Sequence, residues 1–113
     1  MPSPDLELLR GTLDLLILRT LSWGPLHGLG VTRWIERATH QRLQIEEGAL
    51  YPALHRLEEK IWLEAEWGYT DTGRRAKYYR LTPAGRRQLA AEVSKWDRYS
   101  EAVRLVLTTE GTP

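Results

Sequence analysis

The stretch Glu46-Glu47-Gly48-Ala49-Leu50-Tyr51-Pro52-Ala53-Leu54-His55-Arg56-Leu57-Glu58-Glu59-Lys60 has the pattern of a short helix with one core side and one presented side. Leu50, Leu54, Leu57 and Ile61 recur at the four-and-three spacing that lines a single helical face. Gly48, Pro52, His55, Arg56 and Glu59 fall opposite them, with Tyr51 at the boundary. Pro52 lacks an amide hydrogen and is comfortable only where the hydrogen-bond ladder has not closed, which predicts a first turn near Gly48 or Ala49. The presented face then begins at a helix N-terminus, where free N–H groups and the helix dipole favour an anion such as a phosphate. Glu46 and Glu47, at the same end, are dipole partners rather than paired catalytic carboxylates.

Beyond Lys60 the hydrophobic period shortens from helical to alternating. Leu63, Ala65, Trp67 and Tyr69 alternate with Glu64, Glu66 and Gly68, and the return run Ala76-Lys77-Tyr78-Tyr79-Arg80-Leu81 is rich in β-formers. Thr70-Asp71-Thr72-Gly73-Arg74-Arg75 between them is turn chemistry, so the pair is expected to be a hairpin with a basic tip. No acidic residue occurs from Thr72 to Ala91, whereas Arg74, Arg75, Lys77, Arg80, Arg86 and Arg87 all do. The net charge is only +1, so this run is a local basic patch, and it points to a polyanion.

Thr82-Pro83 is a helix start, threonine as N-cap and proline in the first helical position. Leu89, Val93, Trp96, Ser100, Val103 and Leu107 then step by alternating fours and threes, a heptad seam whose polar member is Ser100. Nothing earlier in the chain supplies a long partner helix, so a second subunit is expected to cover the seam. The helix should end between Thr108 and Gly111.

On the N-terminal side, Leu43-Gln44-Ile45 alternates over a length that suits a minor edge strand. Val31, Trp34, Ile35 and Ala38 mark a helix from about His27 to Thr39, with Gly28 and Gly30 near its start as expected points of close helix approach. Ser22-Trp23-Gly24-Pro25 breaks the chain before it. From Leu9 to Leu21 a helix is expected that is apolar on several sides, with Leu13, Leu16 and Ile17 on one face and Leu15 and Leu18 on others. Such a helix must be covered on more than one side, which again suggests a second copy of the chain, with Leu13 and Ile17 at the interface. Trp23, Trp34, Trp62 and Trp67 are read as core or hairpin packing.

The order is helix, helix, short strand, helix, hairpin, long helix. This predicts an α+β fold, mainly α: a winged helix-turn-helix with a long C-terminal dimerisation helix. The expected division is a flexible arm over 1–8, a winged-helix DNA-binding domain over 9–82, a dimerisation helix over 83–108 and a flexible tail over 109–113. At 113 residues, 42% hydrophobic and 27% charged, the chain has the size and composition of one small globular domain. The absence of cysteine excludes a disulfide framework, a thiolate metal site and a thiol redox sensor. Asp14, Arg19 and Thr20 interrupt the apolar run from Leu13 to Leu21, and no basic region precedes an apolar run at the N-terminus. Neither a membrane span nor an export signal is therefore expected, and the cytoplasm is the expected location. His27, His40 and His55 lack metal-ligand spacing, and there is no phosphate-cradling glycine loop or nucleophile motif. No enzyme activity, metal or cofactor is expected.

Five segments in order resemble the PadR family of transcriptional regulators: Leu9-Arg10-Gly11-Thr12-Leu13-Asp14-Leu15-Leu16-Ile17-Leu18, Pro25-Leu26-His27-Gly28, Glu46 to Glu58, Ala65-Glu66-Trp67-Gly68, and Arg74-Arg75-Ala76-Lys77-Tyr78-Tyr79-Arg80-Leu81-Thr82-Pro83-Ala84-Gly85. The resemblance covers residues 9–107, and the short C-terminal part resembles the single-helix subfamily that includes multidrug-sensing regulators. It implies a homodimer bound to a pseudo-palindromic operator in double-stranded DNA, acting as a repressor that a small phenolic or planar aromatic molecule releases. Residues Tyr69 to Gly73 occupy a wing tip that varies within the family.

The expected DNA contacts are Gly48, Ala49, Tyr51, His55 and Arg56 on the short helix and Arg74, Arg75 and Lys77 on the hairpin. The expected dimer interface adds Leu89, Val93, Trp96, Val103 and Leu107 to Leu13 and Ile17. Trp96 sits on the seam, where a two-fold axis would bring two indoles together as a clamp for a flat aromatic ligand, with Val93 and Ser100 beside it. In the drug-sensing branch a tryptophan at the similar place lines the ligand pocket, while a plain packing knob is the alternative. A winged-helix module that binds protein instead of DNA is the alternative at the level of function.

Overall fold

The computed structural model describes Leu8 and residues 11–113. Its elements are α1 (Leu13–Leu21), β1 (Leu26–His27), α2 (Gly28–Ala38), α3 (Glu47–Glu59), β2 (Leu63–Tyr69), β3 (Arg75–Leu81) and α4 (Pro83–Thr108). The expected arm lies outside the described residues apart from Leu8, and so do Leu9 and Arg10 of the first expected helix.

The chain's own elements surround α1. Ile17, Leu18 and Leu21 are fully buried, and Thr20 is buried beside them because its hydroxyl donates to the Leu16 carbonyl at 2.7 Å. Helices α2, α3 and α4 and strand β3 all pack on α1. Leu13 and Ile17, expected at an interface between chains, are both part of the intramolecular core, and Ile17 has no surface left to offer a second chain. Helices of one small domain can enclose a helix completely when they cross it from different sides, which the apolar pattern alone does not reveal.

The sheet order is β1-β3-β2, all antiparallel. The third strand is not Leu43-Gln44-Ile45, which is irregular, but Leu26–His27, paired as Leu26 with Tyr79 and His27 with Tyr78. Ile45 inserts into the core and the Leu43 amide donates to the Thr39 hydroxyl at 3.2 Å, so the segment is held without a ladder. His27 also caps α2: its Nδ1 accepts from the Gly30 amide at 3.3 Å, and its ring stacks on Tyr78. Of the two glycines expected at a helix approach, Gly28 serves that purpose, because a Cβ there would lie 2.8 Å from the Tyr51 ring of α3. Gly30 instead makes room for the His27 cap.

Helix α3 begins at Glu47, earlier than expected, and Pro52 stands inside it. The Gly48 carbonyl thereby loses its i+4 donor, which is tolerable because Gly48 and Pro52 both face solvent, where water can take its place. At the other end Ile61, expected in the core, is 69% exposed. It adopts φ +60° as the residue after the C-cap, with Ile61 N–H donating to the Glu58 carbonyl and Trp62 N–H to the Leu57 carbonyl. That paired closure is the Schellman arrangement, and it turns the chain so that Trp62, not Ile61, packs on the core.

Thr82 joins α3 to α4. Its N–H donates to the Trp62 carbonyl at 3.1 Å and its hydroxyl to the Ile61 carbonyl at 2.6 Å, while the same oxygen accepts from the Gly85 amide. Gly85 packs against the Trp62 carbonyl so closely that an added Cβ would lie 2.0 Å from its oxygen. Only the first turn of α4 is deeply buried; the helix then passes the start of α1 around Trp96 and Tyr99, and from Glu101 onward its side chains lie in solvent.

Candidate nucleic-acid interface

The exposed side of α3 is poor in side-chain bulk at its start and polar further on. Gly48, Ala49 and Pro52 are exposed, and nothing lies within 4 Å of the space a Gly48 Cβ would take. A surface so bare lets another molecule approach the helix backbone. Tyr51 follows, its ring braced against Gly28, then the exposed His55. Arg56 differs from expectation, since its guanidinium pairs with Asp14 on α1. The geometry gathers Gly48, Ala49, Tyr51 and His55 on one open surface and holds Arg56 to the side by a partly exposed ion pair, which a phosphate could displace at small cost.

Strands β2 and β3 form the wing beside α3. Its tip closes through Gly73 N–H to the Thr70 carbonyl and Thr70 N–H to the Arg74 carbonyl, with Gly73 at φ +80° in the left-handed region. The Thr70 hydroxyl accepts from the Arg74 amide, which fixes the loop from inside. Lys77 Nζ donates to Glu58 Oε1 of α3 at 3.0 Å, so it braces the wing on the helix. The hydrogen bond that it donates to Glu58 holds the Lys77 ammonium above its ordinary pKa, against a smaller opposing effect of burial. Tyr79 is likewise raised, by burial first, and stays a neutral phenol.

The basic run is therefore not uniform. Arg80 pairs with Glu64 at 2.8 Å and lies 3.9 Å from Glu66. Arg74 and Arg75 have no carboxylate partner among the described residues, and the Arg75 guanidinium lies 4.4 Å from the centre of the Trp67 ring. Arg86 and Arg87 are exposed on the first turns of α4. The acids that occupy Arg56 and Lys77 escaped the sequence reading. Asp14 and Glu58 are distant along the chain from their partners, and only the crossing of elements brings them together.

A cleft of about 390 Å³ opens between the start of α1 and the middle of α4. Trp96 lines it with Tyr99, Leu15, Glu92 and Lys95, and the Trp96 and Tyr99 rings stack at 6.5 Å. Val93 and Ser100 do not line this cleft, and the Ser100 hydroxyl donates to the Asp97 carbonyl. Leu89 packs on the core, whereas Val93, Trp96, Val103 and Leu107 leave an apolar stripe uncovered along α4. Tyr99 and Leu15 were missed as cleft residues because neither lies on the heptad seam. The tryptophans divide: Trp34 and Trp62 pack on the core, but Trp23 is 67% exposed under the Arg19 guanidinium.

A three-helix core carrying a β-wing and a projecting helix, with a bare helical face on α3 and unneutralised arginines on the wing, is the build of a winged-helix transcriptional regulator. The chain belongs to the transcriptional regulator PadR-like family, which it matches over residues 17–91. It is 34% identical over 101 residues to an uncharacterized protein of Lysinibacillus sphaericus, covering 89% of this chain and 93% of that one. It is 36% identical over 86 residues to transcriptional regulator Rv3488 of Mycobacterium tuberculosis, covering 76% of this chain and 77% of that one. The structure of a transcriptional regulator from Clostridium thermocellum superposes with a TM-score of 0.78 at 29% identity, over 84% of this chain and 92% of that one. Family members are regulators of transcription and not enzymes. Among the described residues no helix is long and apolar enough to cross a membrane.

Proposed function

We propose that the chain acts as a homodimeric repressor on a pseudo-palindromic operator and that a small planar aromatic molecule releases it. The observation that carries this reading is the bare α3 face of Gly48, Ala49, Tyr51 and His55 together with Arg74 and Arg75 on the wing, two cations without carboxylate partners among the described residues. In it residues 9–82 form the DNA-binding unit and residues 83–108 the helix that pairs two chains. The uncovered stripe of Val93, Trp96, Val103 and Leu107 supports the pairing, because a second copy removes that apolar surface from water. Two α3 helices then stand about one DNA turn apart, roughly 34 Å.

Arg74 and Arg75 grip phosphates, Tyr51 and His55 meet base edges or backbone, and Arg56 and Lys77 join only by leaving their acids. A ligand seated at Trp96 and Tyr99 weakens operator binding by its differential affinity for a different spacing of the two α3 helices, and by no more. Mobility shifts on the chain's own upstream region, at two salt concentrations, test the reading. The expected result is a discrete complex whose log affinity falls by about 0.9 per contacted phosphate for each decade of salt. A stable monomer at micromolar concentration, or indifference to every duplex in dilute buffer, overturns it.

A further inference from the structure

We propose that Trp67 is a positioning residue for DNA binding: its indole face holds the Arg75 guanidinium in place on the wing without neutralising it. The inference rests on the DNA-binding reading above and adds a residue to it. Pairing Tyr69 with Arg75 and Trp67 with Lys77 across the hairpin puts Trp67, Tyr69, Arg75 and Lys77 on one face of the wing. Near the core that face is buried through Leu63, Tyr79 and Leu81, but towards the tip it is open, with Trp67 57% and Tyr69 73% exposed.

The other cations near the α3–wing surface show what a different partner would do. Lys77 is ordered by Glu58, Arg80 by Glu64 and Arg56 by Asp14, and each carboxylate cancels the charge that it orders. A phosphate must displace the acid before it gains the cation. The Trp67 ring orders Arg75 through its quadrupole, with the guanidinium 4.4 Å from the ring centre. An arginine held over an indole by its charge keeps its N–H donors free of a carboxylate and its full charge available to a phosphate. A long side chain that is already confined also loses less rotamer freedom on binding than a free one.

The test is a double-mutant cycle read by fluorescence anisotropy on a labelled duplex from the chain's own upstream region. Trp67→Leu is expected to weaken binding about two- to fivefold for each wing that contacts DNA, the size of an exposed cation–π contact. Trp67→Tyr, which keeps a ring, should retain most of the affinity. In an Arg75→Ala background Trp67→Leu should change nothing further, a non-additivity that a residue serving only the hairpin's stability would not produce. Thermal midpoints of all variants check that each remains folded, and Trp67→Val, a β-former that also lacks a ring, carries the test in both backgrounds if Trp67→Leu does not fold. Equal losses in both backgrounds, or no loss in either, overturn the assignment of Trp67 while leaving the DNA-binding reading intact. A parent protein that ignores duplex DNA overturns both.

Discussion

Replacing Gly85 by alanine sets two physical effects against each other with opposite signs. Alanine is the better helix former by about 1 kcal/mol in a helix interior, so propensity alone predicts a more stable protein. Packing predicts the reverse. The new methyl would lie 2.0 Å from the Trp62 carbonyl oxygen, 3.0 Å from its carbon and 3.2 Å from Leu81 Cδ2. The obstructing atom is backbone, and it cannot swing away freely because it accepts the Thr82 N–H at 3.1 Å. Overpacking of this kind costs about 1–3 kcal/mol, and disturbing the Thr82 hydrogen bond adds about 1 kcal/mol more. Gly85 lies in the first turn, where the propensity gain is smaller than in an interior, so a net loss of about 2–3 kcal/mol is expected. That is a large part of a total stability of about 5–15 kcal/mol, and it corresponds to a fall of roughly 10–20 °C in Tm. Urea unfolding followed by far-ultraviolet circular dichroism, at one fixed protein concentration because association shifts the midpoint, measures it. An unchanged or raised midpoint at constant m would refute the claim that α4 is seated by backbone contact at Gly85.

Ile61 is a β-branched residue at φ +60° with most of its surface in water, so Ile61→Gly should relieve backbone strain and stabilise the fold by about 1 kcal/mol; a lower urea midpoint would contradict this. Arg74→Ala combined with Arg75→Ala is expected to weaken binding to all DNA sequences and to flatten the dependence of log affinity on log salt by about 2 units or less for each wing, and an unchanged slope would count against the wing. Trp96→Ala should leave a folded dimer that binds planar aromatic dyes more weakly, because the stacked Trp96 and Tyr99 rings line the cleft; equal dye titrations of mutant and parent would remove the cleft as a ligand site. The raised Lys77 stabilises the folded state while it is protonated, so its contribution is complete below its ordinary value of 10.5 and is lost as pH rises through the higher folded value. Glu58→Gln should therefore shrink the loss of stability in alkaline titrations, and an unaltered alkaline limb would disprove the link.

Where a pattern repeats locally, the fold could be read before the structure. Leu50, Leu54 and Leu57 identified α3, the alternation about Trp67 and Tyr79 identified the wing, and Thr82-Pro83 located the start of α4 within a residue. The errors have physical causes in common. Ile61 fits a helical period that ends two residues before it, at Glu59, and the period is silent about a Schellman turn. Leu43 to Ile45 alternates, but pairing also needs a free sheet edge, and Leu26–His27 takes the open edge of β3. Ile17 looked like an interface residue because α1 is greasy on several sides, and its own domain covers it. At the candidate interface the residue types were legible and their partners were not. Asp14 and Glu58 hold cations that the sequence offered as free.

The Thr82 joint makes the last turn of α3 and the first turn of α4 a single rigid piece, and a stiff rod fixed at one end is a lever. The 26 residues of α4 measure about 39 Å, and Trp96 stands about half-way along. Shifts of about 1–2 Å, the usual scale of helix sliding at subunit contacts, turn such a rod by only roughly 2–3° when they act at its tip and by twice that at its midpoint. A sideways shift beside Trp96 therefore turns the base through a larger angle than the same shift beside Leu107, so a molecule lodged half-way along the rod needs less displacement to reorient α3, at the cost of a larger force.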